Sequence, residues 1–245
     1  MKYKTLGVLM ALFFSVQVSA APVVAVTEWK VKPGQAPAFA KAIDDLQQTD
    51  LAKDRTAQLQ LQASSYNGVN PATHRITILY PSLAEMESWT ARFNGSKEQA
   101  TVVAGLSDNA EVVSQYMGSP IQNWGEVSND DVFWDVIRIT ATNPAAVAQG
   151  LNALMSSAET KAFPGQIWLV QVVRGQASAA GRVTHEIAIG YQSMAEMEAW
   201  TEKMEKTKAW QTWLGVVANS FTIANRYNVS WLKAYEHNYT LEDFE

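Results

Sequence analysis

Cysteine is absent from the 245-residue chain. That excludes a disulfide framework, thiol chemistry and the lipid-bearing cysteine of an anchored lipoprotein. Histidine occurs only as His74, His185 and His237, with no H-x-x-x-H or similar local pair. A tight zinc or iron site needs three or four converging ligands, so no metal is expected; no cofactor is expected either, and any activity would be cofactor-independent or use an organic group. Basic residues are also few: without Lys2 and Lys4, 17 face 24 acidic ones, a net −7, and they are scattered. Such a balance argues against nucleic acid as a partner. No G-x-S-x-G elbow occurs, which removes the commonest serine-nucleophile signature. Beyond residue 20, no run approaches the ~18 uninterrupted apolar residues of a membrane-spanning helix.

The first 20 residues differ from the rest. Lys2 and Lys4 precede an apolar run from Leu6 to Val16, followed by Val18-Ser19-Ala20, small residues spaced as a signal peptidase requires. Residues 1–20 are read as a signal peptide and the mature chain as periplasmic or secreted, with no membrane association after the leader is removed.

The remainder is organised around one stretch that occurs twice. THRITILYPSLAEMESWTARF, Thr73 to Phe93, recurs as THEIAIGYQSMAEMEAWTEKM, Thr184 to Met204, 111 residues later with 12 of 21 positions identical. Unrelated segments would share about 1 or 2, and the period is that of a domain rather than of a solenoid repeat. In the first half of each copy, His74, Ile76, Ile78 and Tyr80, then His185, Ile187, Ile189 and Tyr191, alternate with other residues at period two, as a strand does. In the second half, Leu83, Met86, Trp89 and Phe93, matched by Met194, Met197, Trp200 and Met204, form a helical stripe. Ser82 with Glu85, and Ser193 with Glu196, are capping boxes that fix the helix starts.

Reading outward, residues 21–125 give strand (Val23–Lys30), helix (Ala36–Leu51), strands (Leu59–Tyr66 and from Thr73), the capped helix, a short helical segment (Lys97–Leu106) and a strand (Glu111–Met117). Residues 126–235 retrace this with strands at Asp131–Thr140, Gln166–Arg174, from His185 and at Phe221–Tyr227, and a helix capped by Asn143 with Pro144 behind it. Gly175 to Gly181 reads as a hairpin turn, Pro120 to Asn129 as a linker, and the polar residues 236–245 as a loose tail. Strand, helix, strand, strand, helix, strand is the ferredoxin-like βαββαβ order, with an antiparallel sheet and helices on one face. The fold class is therefore α+β.

With Tyr80-Pro-Ser-Leu-Ala-Glu and the upstream Trp29-Lys-Val-Lys-Pro-Gly, the chain resembles the dimeric α/β-barrel superfamily, which includes antibiotic-biosynthesis monooxygenase-like and NIPSNAP-like domains. The resemblance spans the mature chain, one domain per repeat. It implies that the two antiparallel sheets pair into an intramolecular eight-stranded barrel with the helices outside. Two sheets each bare on one face would bury both faces that way. Activities in that superfamily run from cofactor-independent oxygenation of quinols to haem breakdown and plain ligand binding, with no shared catalytic motif to carry over.

The conserved strand face is expected to pack under the helix stripe, leaving Arg75, Thr77 and Leu79 inside the barrel. Aligning the first strands then places Glu28 beside Arg75 and Arg138 beside Glu186, with the signs exchanged between repeats. These four read either as cross-strand ion pairs that pin register or as the polar end of a ligand cavity. Trp210 and Trp213 have no aromatic counterparts in the first repeat, where Gln99 and Val102 stand; they are core or part of a site for an aromatic ligand. Were the strand faces reversed, His74, His185, Tyr80 and Tyr191 would line the barrel instead. The functional expectation is an exported barrel protein that binds a small apolar or aromatic molecule between its sheets, as monomer or homodimer, with cofactor-independent monooxygenase-type activity as the chemistry the resemblance allows. The alternative is a non-catalytic structural or interaction module with a packed interior.

Overall fold

The computed structural model describes residues 21–176 and 182–244; the leader expected at 1–20 and the tip of the turn expected at Gly175–Gly181 lie outside the described residues. The first repeat runs β1 (Val23–Val31), α1 (Ala36–Gln47), a one-turn α2 (Asp50–Lys53), β2 (Ala57–Ser65), β3 (His74–Tyr80), α3 (Leu83–Phe93), α4 (Lys97–Asn109) and β4 (Ala110–Gly125). The second runs β5 (Phe133–Ala141), α5 (Pro144–Met155), β6 (Gln166–Gln176), β7 (His185–Tyr191), α6 (Met194–Glu205), α7 (Lys208–Val217) and β8 (Phe221–His237). A 3₁₀ turn at Leu241–Phe244 is the last described element. None of the described helices is long and apolar enough to cross a membrane.

Local chemistry sets the helix starts as expected. Ser82 Oγ accepts from the Glu85 amide at 3.1 Å, Ser193 Oγ from Glu196 at 3.2 Å and Asn143 Oδ1 from Ala146 at 3.1 Å. Each satisfies an amide that has no partner within its helix. In the second copy Glu196 also reaches back to accept from the Gln192 amide at 2.8 Å.

The eight strands form one closed antiparallel barrel in the order β1-β3-β2-β8-β5-β7-β6-β4. Closure depends on β4 and β8, which run 16 and 17 residues, well beyond the seven-residue strands expected. The first half of β4 pairs with β1, while its extension pairs with β6 of the other repeat; β8 likewise pairs with β5 and then with β2. The supposed linker from Pro120 is therefore mostly strand. Register shifts leave Val113 and Ile121 extra on β4, and Ala224 and Leu232 extra on β8. These are two matched pairs of bulges, the members of each 111 residues apart. Bulges bend a strand and sharpen its twist, which is how one long strand serves both halves of a barrel. Pro120 is tolerated because the ladder is already broken there.

The strand faces fall as the alternation requires. Ile76 and Ile78 pack outward against Phe39 and Ile43 of α1, and Ile187 against Val147 and Leu151 of α5. The inward residues form a separate core that includes Val24, Val26, Leu79, Val136, Val170 and Val229. Tyr239, Leu241 and Phe244 join that inner core, all under 9% exposed. Residues 236–244, expected to form a loose tail, are thus held in place, because Tyr239, Leu241 and Phe244 bury in the barrel mouth.

Candidate functional site

Two regions carry chemistry, one inside the barrel and one outside it. Inside, Glu28, Arg75, Arg138 and Glu186 come together, each 5% exposed or less. The strand register does set Glu28 opposite Arg75 and Arg138 opposite Glu186. The ion pairs, however, run mainly across the barrel. Arg75 Nη2 donates to Glu186 Oε1 at 2.9 Å, and Arg138 Nη2 to Glu28 Oε1 at 2.8 Å; Arg138 Nε also meets Glu186 Oε2 at 3.2 Å. Tyr116 and Tyr227, matching residues of β4 and β8, complete the cluster. Tyr116 Oη donates to Glu186 Oε2 at 2.6 Å, Arg75 Nη1 donates to Tyr227 Oη at 3.1 Å, and the Arg138 guanidinium lies 5.0 and 4.9 Å from the two ring centres.

Burial alone would push the Glu186 carboxyl up, but Arg75, Arg138 and the Tyr116 hydroxyl reverse it and hold the pKa at about 2. Glu28 is likewise lowered: burial opposes, and Arg138 and Ser114 prevail. Burial pushes both tyrosine hydroxyls up. The cluster is therefore two cations and two anions, locked in those states through the neutral range.

A row of amides reaches it from one mouth. Gln60 Nε2 donates to Gln58 Oε1 at 2.9 Å, Gln62 Nε2 to Gln60 Oε1 at 3.1 Å, and Thr77 Oγ1 to Gln62 Oε1 at 3.1 Å. Arg75 Nε then donates to Thr77 Oγ1 at 3.0 Å. Sequence reasoning passed over this row, although Ala57-Gln-Leu-Gln-Leu-Gln-Ala63 displays it as strict alternation. What space remains inside is a cavity of about 60 Å³ between Gln60, Gln62, Trp134, Trp168, Leu241 and Phe244. Pockets for drug-sized ligands hold about 300–1,000 Å³.

Outside the barrel, a larger hollow of about 140 Å³ lies in the second repeat between the sheet and its helices. Its aromatic wall is Phe163, Tyr191, Trp200, Trp210 and Trp213, and its aliphatic wall includes Leu151, Ile187 and Met204. At its polar end Asp135 forms a two-pronged pair with Arg226, whose Nη2 approaches Oδ2 to 2.6 Å. Phe163 organises the wall: its ring centre is 5.8 Å from Tyr191 and 5.2 Å from Trp200. The Tyr191 hydroxyl has no hydrogen-bond partner among the described residues, and burial pushes its pKa up. It is a donor kept protonated beside an apolar space. In the first repeat, Tyr80 and Trp89 are the counterparts of Tyr191 and Trp200. There Arg55, 1% exposed, stacks on Trp89 at 5.0 Å and donates to Gln47 Oε1 at 3.0 Å, so that an arginine covers the ring whose counterpart, Trp200, lines the hollow.

The residues singled out in the sequence thus divide among several places. Glu28, Arg75, Arg138 and Glu186 meet inside the barrel; Trp210, Trp213 and Tyr191 line the outer hollow. Tyr80 is sealed under α3 beside Trp89. His74 packs against Phe39 at 5.5 Å on the outer face, and His185, buried, bonds Thr184 through Nδ1. His237 meets Gln47 Oε1 at 3.0 Å, far from both. Among the described residues, no three His, Asp or Glu side chains gather closely enough to hold a metal ion. Nor does the hollow fit a haem: it is too small and no histidine lines it.

No protein-family model and no curated protein sequence matches the chain. Solved structures do. A candidate monooxygenase of Fusobacterium nucleatum superposes with a TM-score of 0.62 at 11% identity, over 89% of this chain and 95% of its own. One from Lactobacillus acidophilus gives 0.57 at 6% identity over 89% and 97%. An anthrone oxidase-like protein gives 0.54 at 11% identity over 87% and 92%. Identities this low speak for fold alone. The chain has the ferredoxin-like dimeric α/β-barrel fold of these monooxygenase-like proteins, with both halves of the barrel carried in one polypeptide.

Proposed function

We propose that the chain binds one small, flat aromatic molecule in the hollow of its second repeat. The observation that carries this is the hollow itself: about 140 Å³ walled by Phe163, Trp200, Trp210 and Trp213, with the unpartnered Tyr191 hydroxyl on its lining. An apolar cavity of about 150 Å³ is known to stay dry and take up benzene. The Tyr191 hydroxyl and the Asp135–Arg226 pair favour a ligand that also bears a phenolic or carbonyl oxygen, since a hydroxyl on a mostly apolar wall gains a partner from such a group. A ligand between the sheets finds less support, because the barrel interior is filled by the ionic cluster and the chain end. That filling also favours the alternative of a purely structural module.

Oxygenase-type chemistry on the same ligand is the second part of the proposal, supported by the fold shared with proteins named monooxygenase and anthrone oxidase-like. An electron-rich hydroquinone can supply all four electrons that dioxygen needs. One oxygen atom enters the ring to give a hydroxyquinone, and the other leaves as water, with no external reductant. Tyr191 would hold the ligand oxygen, and the carboxylates on the cavity lining that could take a phenolic proton are Asp135, already paired with Arg226, and Glu205. The leader-like start supports an exported location.

Titrating phenol, hydroquinone and 1,4-naphthohydroquinone while following tryptophan fluorescence, with native mass spectrometry, tests the binding. One ligand per chain with quenching is expected. No binding by any of the three at concentrations on the order of 1 mM, which corresponds to about −4 kcal/mol, would overturn the reading in favour of the structural module. Dioxygen uptake with the bound hydroquinone tests the chemistry separately.

A further inference from the structure

The barrel's occupied mouth holds a second, different feature. The chain leaves β8 at His237, reverses at Asn238 with a positive φ of 57°, and lays Tyr239, Leu241 and Phe244 into the mouth. Phe244 packs on Trp168 at 5.5 Å between ring centres. The polar ties of this segment are slight. Thr240 bonds Asp243 within the segment at 2.9 Å, Asn129 reaches Glu242 at 3.5 Å, and Asn238 reaches the Lys53 carbonyl at 3.3 Å. No strand ladder includes residues 239–244. Three side chains therefore hold the segment, and they do not fill the space beneath, where the 60 Å³ cavity remains.

We propose that this mouth is a ligand site for a neutral molecule with an apolar body and a hydroxyl or amide head, and that the C-terminal segment is its displaceable plug. Apolar walls from Trp134, Trp168, Val170 and Val229 suit the body. At the inner end Gln60 and Gln62 each use one amide hydrogen in the glutamine row, leaving the other for a ligand acceptor. The head is neutral because the charges beyond it, two arginines and two glutamates, already cancel. A segment held by three side chains, few polar ties and no ladder can open before the strands around it. Displacing Leu241 and Phe244 would join their volume to the existing cavity and expose the two glutamines from outside.

Two measurements test this. In the unaltered chain, hydrogen exchange is expected to show amides 240–244 exchanging more than about 100-fold faster than those of the central β8 ladder; equal protection would overturn displaceability. In the Leu241→Asp/Phe244→Asp variant, where charge expels the segment, titration with the neutral probe N-phenyl-1-naphthylamine should reveal one more site per chain than in the parent. An unchanged stoichiometry in a variant with native circular dichroism would overturn the site, and counting the added site separates it from the outer hollow. A variant that loses its native fold would make the segment a core element rather than a plug, and would also overturn the proposal.

Discussion

Arg75 and Glu186 are the same residue of the two repeats, 111 positions apart, and they touch each other at 2.9 Å in the middle of the barrel. Glu28 and Arg138, related by 110 positions, do the same at 2.8 Å. The approximate twofold axis relating the halves must therefore pass between them. In a barrel made from two identical chains, a residue on that axis meets its own copy, so a charge there would face a like charge in low dielectric. Fusion into one polypeptide removes that constraint, and the exchanged signs are its result.

Reversing one charge should be far worse than reversing all four. Glu186→Arg gathers three guanidinium groups, and a loss of more than about 4 kcal/mol is expected, as for broken buried pairs. The quadruple exchange Glu28→Arg, Arg75→Glu, Arg138→Glu and Glu186→Arg recreates the same cluster with the repeats interchanged. It should recover at least about half of that loss, a non-additivity read from urea melts.

The same contacts predict how separated halves behave. Residues 21–125 alone would have to pair Arg75 with Arg75 and Glu28 with Glu28, and should aggregate or dimerise poorly. Mixed with residues 126–245 they should form a one-to-one complex in preference to either homodimer. Native mass spectrometry of the mixture decides this, and a stable monomeric half would contradict it.

Acid should unfold the chain through Glu186. Its folded pKa of about 2 lies below the ordinary value of 4.5, so its contribution to stability is complete above about pH 4.5 and is lost as pH falls toward 2. The linkage is on the order of 3 kcal/mol. Denaturant midpoints measured between pH 6 and 3 should fall, and the fall should be shallower in Glu186→Gln, which starts from lower stability.

In the outer hollow, Trp210→Ala should weaken aromatic binding at least about tenfold, equal to 1.4 kcal/mol, with little change in melting temperature because Trp210 is only half-buried. Tyr191→Phe should weaken phenol binding by a few-fold and leave toluene binding unchanged. Equal effects on both ligands would show that the hydroxyl does not meet the ligand.

Local features were legible in the sequence where one side chain settles them. Ser82, Ser193 and Asn143 mark helix starts because the cap is a contact over three residues, and period two put Arg75 inside and His74 outside. The neighbours Glu28 and Arg75 followed from strand order, whereas the shorter contact of Arg75 with Glu186 depends on how two sheets close, which no single repeat's pattern contains. Bulges hid the length of β4 and β8, since an extra residue at Val113 or Ile121 breaks the alternation that identifies a strand. In the last ten residues polar composition outweighed Tyr239, Leu241 and Phe244, because burial against a distant mouth leaves no periodic trace. The outer hollow was signalled by the unmatched Trp210 and Trp213, but not by Arg55, whose cover over the Trp89 ring depends on packing alone.

That last difference fixes a stoichiometry. A barrel of two identical subunits must offer two equivalent outer pockets or none, and ligands filling both could influence one another. Here Arg55 covers the ring of Trp89 in one repeat, whereas in the other Phe163 packs beside Trp200 and both line a hollow. The saturation curve for an aromatic ligand in that pocket should therefore be a single hyperbola ending at one equivalent per barrel, with a Hill coefficient of about 1.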